Sequence, residues 1–130
     1  MAFLLVFCDQ VSKFFILRFF PQIIVYNKGI AFGFLASKWW ILINFFILMA
    51  IVRLIKRKLP LVLIISGGLS NILDRIIRGA VIDFINVKFR LRNFSFEVPI
   101  FNLADVFICL GVGIMILLFC GRTKDYFSGQ

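Results

Sequence analysis

The sequence of 130 residues contains no histidine. Histidine is the commonest general base and metal ligand, so any catalysis here must rest on carboxylate, lysine, serine or cysteine. Acids are scarce too. Six Asp or Glu stand against fifteen Lys or Arg, a formal net charge of +9. In a soluble domain that surplus would point to nucleic acid. Yet only 16 % of the chain is charged and 62 % is hydrophobic. No soluble fold of this length hides so much apolar surface. A single membrane domain whose basic loops meet anionic headgroups fits better, with membrane lipids as partners and no nucleic acid.

The three cysteines, Cys8, Cys109 and Cys120, fall inside apolar runs. Their spacing suits neither a zinc site nor a redox pair, so they read as buried, reduced and inert. No metal and no cofactor are expected. Val6 and Phe7 are too bulky to precede a lipid-acceptor cysteine at position 8. No basic segment or small-residue cleavage site marks the first segment as a removable signal peptide.

What the chain does hold is four apolar stretches, at about residues 2–20, 39–55, 60–78 and 102–120. Each is close to the roughly 20 residues that cross a bilayer core. Asp9, Gln10 and Lys13 interrupt the first. Trp39 and Trp40 open the second as an interface anchor. The segment "RLIKRKLP" is short enough to make the second and third an antiparallel hairpin, with Pro60 in the opening turn of the third. The other connections are longer. Residues 21–38 contain "YNKGIAFGFLASK". Residues 80–101 contain "VKFRLRNFSFEV", where Lys88, Arg90 and Arg92 alternate with Phe89 and Leu91 in the period of a strand. Both long connections fall on one side of a four-helix protein and can pair there into a small sheet. The expected fold is therefore mainly α, an integral membrane domain over residues 1–130, with four transmembrane helices and a small β-rich extracytoplasmic region. Charge counting leaves the orientation open. Arg53, Lys56, Arg57, Lys58, Arg122 and Lys124 lie on one face, against Arg18, Lys28, Lys38, Arg78, Lys88, Arg90 and Arg92 on the other.

The stretch "SGGLSNILDRIIRGAVIDFI", residues 66–85, sets four charges in a greasy background. Charges in membrane helices are costly unless paired or wetted, which makes them candidates for function. Gly67, Asn71, Asp74, Arg75 and Arg78 follow steps of three and four along one helix stripe. Asp74 is within reach of Arg78, and Arg78 sits at headgroup depth. Asn102 is a good N-cap for the fourth helix, and Asp105, three residues on, can reach back to it. Asp83 follows the outer end of the third helix while Asp105 begins the fourth on the same face, so both carboxylates can meet at the membrane surface. Two carboxylates that close share a proton and titrate as a unit. Such a pair hydrolyses a peptide without metal or histidine: one removes a proton from water, the other supports the carbonyl oxygen. The residues alone leave two other readings open. Asp9, Lys13, Asp74 and Arg75 could relay protons or ions in a small transporter, or the stripe could hold helices together in a structural subunit.

Four motifs in order bear a resemblance. "DQVSK" (9–13), "NKGIAFGFL" (27–35), "GGLSNILDRIIRGAVIDFI" (67–85) and "FNLAD" (101–105) resemble those of lipoprotein signal peptidase, or signal peptidase II, a family of bacterial membrane aspartyl peptidases. The resemblance covers almost the whole chain. It implies that Asp83 and Asp105 are the catalytic pair. Asn27, Gly67, Asn71, Arg75 and Asn102 would line the site or hold substrate backbone, with Asp74 supporting and Asp9 and Lys13 structural. It further implies cleavage of prolipoproteins before a diacylglyceryl-modified cysteine, a monomer in the cytoplasmic membrane, both termini in the cytoplasm and the site at the outer face. Two departures stand out. Only eight residues precede Asp9, which implies either a shortened first helix or a misassigned start. Ser70 replaces the family's usual Gly, which implies looser helix packing there.

Overall fold

Helix α1 (Ala2–Phe19) contains neither proline nor glycine and runs unbroken for 18 residues, about 27 Å. Pro21 stops it, because the residue before a proline is pushed out of helical geometry. A single 3-10 turn, Pro21–Ile23, leads into strand β1 (Val25–Asn27). Helix α2 (Lys58–Arg78) carries Pro60 in its first turn, where no backbone N–H is missed. It ends at Gly79, whose φ of 73° is open to glycine and whose N–H donates to Arg75 O at 3.1 Å. Strand β2 (Val81–Asp83) follows at once. Strands β3 (Lys88–Leu91) and β4 (Phe94–Glu97) precede helix α3 (Leu103–Ser128). The computed structural model describes residues 1–28, 46–51, 53, 55, 57–92 and 94–128.

Two helices, Lys58–Arg78 and the apolar part of α3, Leu103–Cys120, are long and apolar enough to cross a membrane. Helix α1 has similar length but carries Asp9, Lys13 and Arg18. Of the expected second helix, residues 46–51 are helical. Positions 39–45, with Trp39 and Trp40, lie outside the described residues, as do positions 29–35 of the second motif and Lys56 of the short connection. Helix α3 continues past the expected end at Cys120 to Ser128. Charged residues end an apolar stretch without ending a helix, and "GRTKDYFS" holds one Gly and no Pro.

The strands form two two-stranded sheets, and the first joins the two long connections as expected. β1 pairs antiparallel with β2, placing Val25 opposite Asp83 and Asn27 opposite Val81. The alternating stretch instead folds back on itself, with β3 against β4 and Phe89 opposite Phe96. A hairpin needs only two linking residues here, so the local partner wins over the distant one. Between the sheets, Ile85 N–H donates to Phe101 O at 2.8 Å and Phe101 N–H to Ile85 O at 3.1 Å. That bridge brings the end of β2 beside the start of α3.

Burial is inverted relative to a soluble core. Among the described residues six hydrophobic side chains are buried, against eight polar or charged ones: Asp9, Lys13, Ser66, Ser70, Asn71, Asp74, Asp83 and Asn102. Phe3, Phe14, Ile76, Leu117 and Phe119 point outward. The cysteines go with them. Cys8, Cys109 and Cys120 are exposed rather than buried, because the apolar faces of α1 and α3 form the outer surface. Helices α2 and α3 touch through small residues. A Cβ on Gly67 would fall 2.3 Å from Ala104 O and 2.7 Å from Ile108 Cγ1. Gly67→Ala must push the helices apart and should destabilise the fold by about 1–3 kcal/mol. A Cβ on Gly113 would meet nothing within 4 Å, so Gly113→Ala should leave stability unchanged or slightly higher. Thermal unfolding of both variants in detergent checks the contrast.

Candidate active site

The ends of three helices meet around one polar cluster. β1 follows α1 and β2 follows α2, and their pairing holds the C-terminal ends of both helices beside the N-terminal end of α3. Each end favours a charge of one sign. Arg75 and Arg78 lie in the last turn of α2, where cations are stabilised, and Asp105 in the first turn of α3, where anions are.

The deepest layer centres on Lys13, fully buried with Asp9 and Asp74. Its Nζ lies 2.6 Å from Asp9 Oδ2 and 2.6 Å from Asp74 Oδ2, and donates to Asn71 Oδ1 at 3.2 Å. Those three acceptors use all three ammonium donors. Ser70 Oγ donates to Asp9 Oδ2 at 2.6 Å, and Asp9 Oδ1 accepts the Ala104 N–H at 2.9 Å. Gln10 Nε2 donates to Ser70 Oγ at 2.9 Å and Asp74 Oδ1 at 3.0 Å, while its Oε1 accepts from Arg78 Nη1 at 2.9 Å. Arg78 Nη1 also pairs with Asp74 Oδ1. Arg78 is thus part of the interior network and not a headgroup residue. Ser70 is buried and doubly bonded, so the packing there is tied rather than loose.

The outer layer holds the two carboxyls singled out from the sequence. Asn102 Nδ2 donates to Asp83 Oδ1 at 2.6 Å, and Asn27 Nδ2 reaches Asp83 Oδ2 at 3.0 Å. Asn71 Nδ2 donates to Asp105 Oδ1 at 2.8 Å. Asn102 caps α3: its Oδ1 accepts the Asp105 N–H at 3.0 Å, while Asp105 Oδ2 accepts the Asn102 N–H at 3.2 Å. That reciprocal pair is a capping box, so Asp105 caps the helix with one oxygen and faces the cluster with the other. Asn102 Nδ2 also lies 3.2 Å from Asn71 Oδ1, which links the two carboxyls through two amides. Asp83 is buried and Asp105 half-buried. Burial pushes the Asp83 carboxyl above its ordinary value, helped by the charge of Asp105. The hydrogen bonds from Asn27 and Asn102 and the charge of Lys13 pull the other way.

Arg75 sits beside this pair. Its Nη1 donates to Asn71 O at 3.0 Å. Its Nε is the one buried side-chain nitrogen or oxygen without a partner among the described residues. Thus Asp9, Lys13, Asn27, Asn71, Asp74, Asp83, Asn102 and Asp105 join one hydrogen-bonded cluster, Arg75 touches it through backbone, and Gly67 borders it by packing on Ala104. Gln10, Ser70 and Arg78 belong to the cluster too; the sequence placed Arg78 on the polar stripe within reach of Asp74 but gave Gln10 and Ser70 no role in the site. The spacing Ser70, Asp74, Arg78 was a signal, since steps of four share one helix face.

The comparisons with known proteins match this architecture. The family described as Signal peptidase (SPase) II matches residues 1–120. This chain belongs to the signal peptidase II family. Among relatives named lipoprotein signal peptidase, that of Janthinobacterium sp. is 35 % identical over 88 % of this chain and 82 % of its own length. That of Neisseria meningitidis serogroup C is 38 % identical over 82 % of this chain and 71 % of its own. The match to the protein of Halalkalibacterium halodurans, 38 % identical, covers 70 % of this chain and 62 % of that protein. Among solved structures, a bacterial membrane enzyme determined by the in meso method at 2.3 Å superposes with a TM-score of 0.72 at 28 % identity. It covers 95 % of this chain and 87 % of that one.

The raised Asp83 carboxyl has a consequence for pH. The folded state holds this proton more tightly than the unfolded chain does. Its contribution to stability is fully present below the ordinary carboxylate value and is lost as pH rises through the raised one. Asn27→Ala removes a hydrogen bond that lowers the value, so the loss should move to higher pH. Thermal unfolding across a pH series, variant against parent, measures this. An unmoved or downward-moved profile would contradict the assignment.

Proposed function

We propose that this chain removes the signal peptide from prolipoproteins, with Asp83 and Asp105 as an acid–base pair. The family's activity is peptide cleavage of that kind. The observation that carries the residue assignment is the convergence of two carboxyls from separate elements onto a linked pair of amides, Asn71 donating to Asp105 and Asn102 to Asp83. Asp83, favoured in its protonated form by burial, acts as the acid and supports the scissile carbonyl oxygen. Asp105, the more open of the two, takes the proton from the attacking water. The proton then passes to the leaving nitrogen. The unpartnered Nε and remaining N–H groups of Arg75 are suited to hold a backbone carbonyl of an extended substrate.

Four helices cross the cytoplasmic membrane of a bacterium, with both termini inside and the small sheets at the outer face. The protein acts as a monomer among membrane lipids. The inverted burial supports this, since apolar side chains outside and polar ones inside suit a lipid surrounding. The substrate's cysteine carries diacylglycerol, whose chains lie in the bilayer and hold the scissile bond near the depth of the pair.

Asp83→Asn and Asp105→Asn should each abolish cleavage of a diacylglyceryl-modified precursor while leaving the protein inserted, because one carboxylate cannot serve as both acid and base. Cleavage retained in either variant would remove the pair from the mechanism. In a cysteine-free background, Arg90→Cys should react with a membrane-impermeant maleimide added outside the cell. Labelling only after the cell is broken would invert the proposed topology.

A further inference from the structure

We infer that Lys13 is a positioning residue for the carboxyl pair, acting through the side-chain amide of Asn71. This rests on the reading of Asp83 and Asp105 as the reacting groups. A lysine that merely neutralised Asp9 and Asp74 would need only two of its donors. The third N–H goes to Asn71 Oδ1 at 3.2 Å. Asn102 Nδ2 donates to that same oxygen, also at 3.2 Å. With two donors on its oxygen, the amide can face Asp105 only with its nitrogen, and it does so at 2.8 Å. A flipped amide would set an NH2 group against an ammonium and a second NH2, and would turn its oxygen toward a carboxylate. Lys13 itself cannot turn away, because its other two donors are fixed at 2.6 Å on carboxylates from α1 and α2. The chain of contacts is therefore rigid from α1 to the first turn of α3. It holds the Asn71 donor on Oδ1 of Asp105 and, with the Asn102 N–H on Oδ2, sets which way the carboxyl faces.

This role differs from substrate holding. The Asn71 amide is engaged by Lys13, Asn102 and Asp105, so the residue expected to grip substrate backbone aims its Oδ1 and an Nδ2 donor inward. Loss of Lys13 should then slow the chemical step without weakening substrate binding.

A mutant cycle tests this in the Asp9→Asn background, which keeps the buried charges balanced once Lys13 is removed. Asp74 retains Arg78 there. Lys13→Met should lower kcat by about tenfold to a hundredfold with KM within about twofold, since displaced positioning groups cost rates of this order. In the same background carrying Asn71→Ala, Lys13→Met should change kcat by less than about twofold, because the route through the amide is already cut. Equal losses with and without Asn71, or a rise in KM alone, would assign Lys13 to the fold and overturn the proposal. If the methionine variant does not fold, the same cycle with Lys13→Gln decides by the same criterion, as the shorter side chain does not reach Asn71. Asp105→Asn in the same assay separates the two levels. Retained cleavage there would defeat the catalytic reading itself. An inactive Asp105→Asn with an additive cycle would defeat only the positioning role.

Discussion

One buried ammonium sets the arrangement of the helices. Asp9 on α1 and Asp74 on α2 are both fully buried, and two carboxylates cannot be brought together away from water without a cation between them. Lys13 supplies it at 2.6 Å from each. Removing one partner of such a group typically costs about 3–5 kcal/mol, because an unpaired charge is left behind. In lipid this matters more than usual. Apolar side chains gain little by leaving lipid for one another, so polar contacts and close backbone approach must hold the helices. Here the ammonium ties α1 to α2, and Asp9 ties both to α3 through the Ala104 N–H. Gly67 allows α2 and α3 to meet backbone to backbone at that same level.

The outer elements follow from that register. With the C-terminal ends of α1 and α2 side by side, the chain segments that leave them are close enough to pair as β1 and β2. Pairing fixes Asp83 opposite Val25 and brings Asn27 to its carboxyl. The Ile85–Phe101 bridge then returns the chain to Asn102. Asn102 starts α3 and bonds Asp83 with one atom of its amide and the Asp105 N–H with the other. A single capping residue thus terminates a helix and spans the two carboxyls. A helix start suits this purpose, since its first N–H groups have no partners within the helix and are free for side chains.

Much of this was legible in the order of residue types. Asp9 and Lys13 are four apart, as are Gly67 and Asn71, and Asp74 and Arg78, so helical geometry alone assigns them to common faces. The spacing of Asn102 and Asp105 announced the cap. The pairing of Asp74 with Arg78 was legible in the same way; that Arg78 also turns inward to Gln10, instead of lying at headgroup depth, was not. Adjacent residues on a helix do not face each other, so Arg75 is poorly placed for Asp74, whereas Arg78 is one turn on and takes it. The fate of Ser70 was also hidden, because its partners Gln10 and Asp9 lie sixty positions away and only the packing of α1 on α2 brings them near. The cysteines were misjudged for a related reason. An apolar run predicts burial in water, but in a chain whose interior is polar the apolar face is the exposed one.

The choice of asparagine around the carboxyls has its own logic. Among the described residues the ion pairs involve Asp9, Asp74 and Glu97, and none involves Asp83 or Asp105. Asn27, Asn71 and Asn102 hold the pair instead. A direct arginine or lysine contact would favour the ionised form of a carboxyl strongly. A neutral amide fixes position at smaller electrostatic cost, so burial still prevails at Asp83. Lys13 is kept one residue away, behind the Asn71 amide. It lends orientation through a hydrogen bond while two carboxylates of its own pair with its charge. The buried ion pairs and the two amide-held carboxyls are thus set in adjacent layers of one network, and Asn71 is the boundary between them.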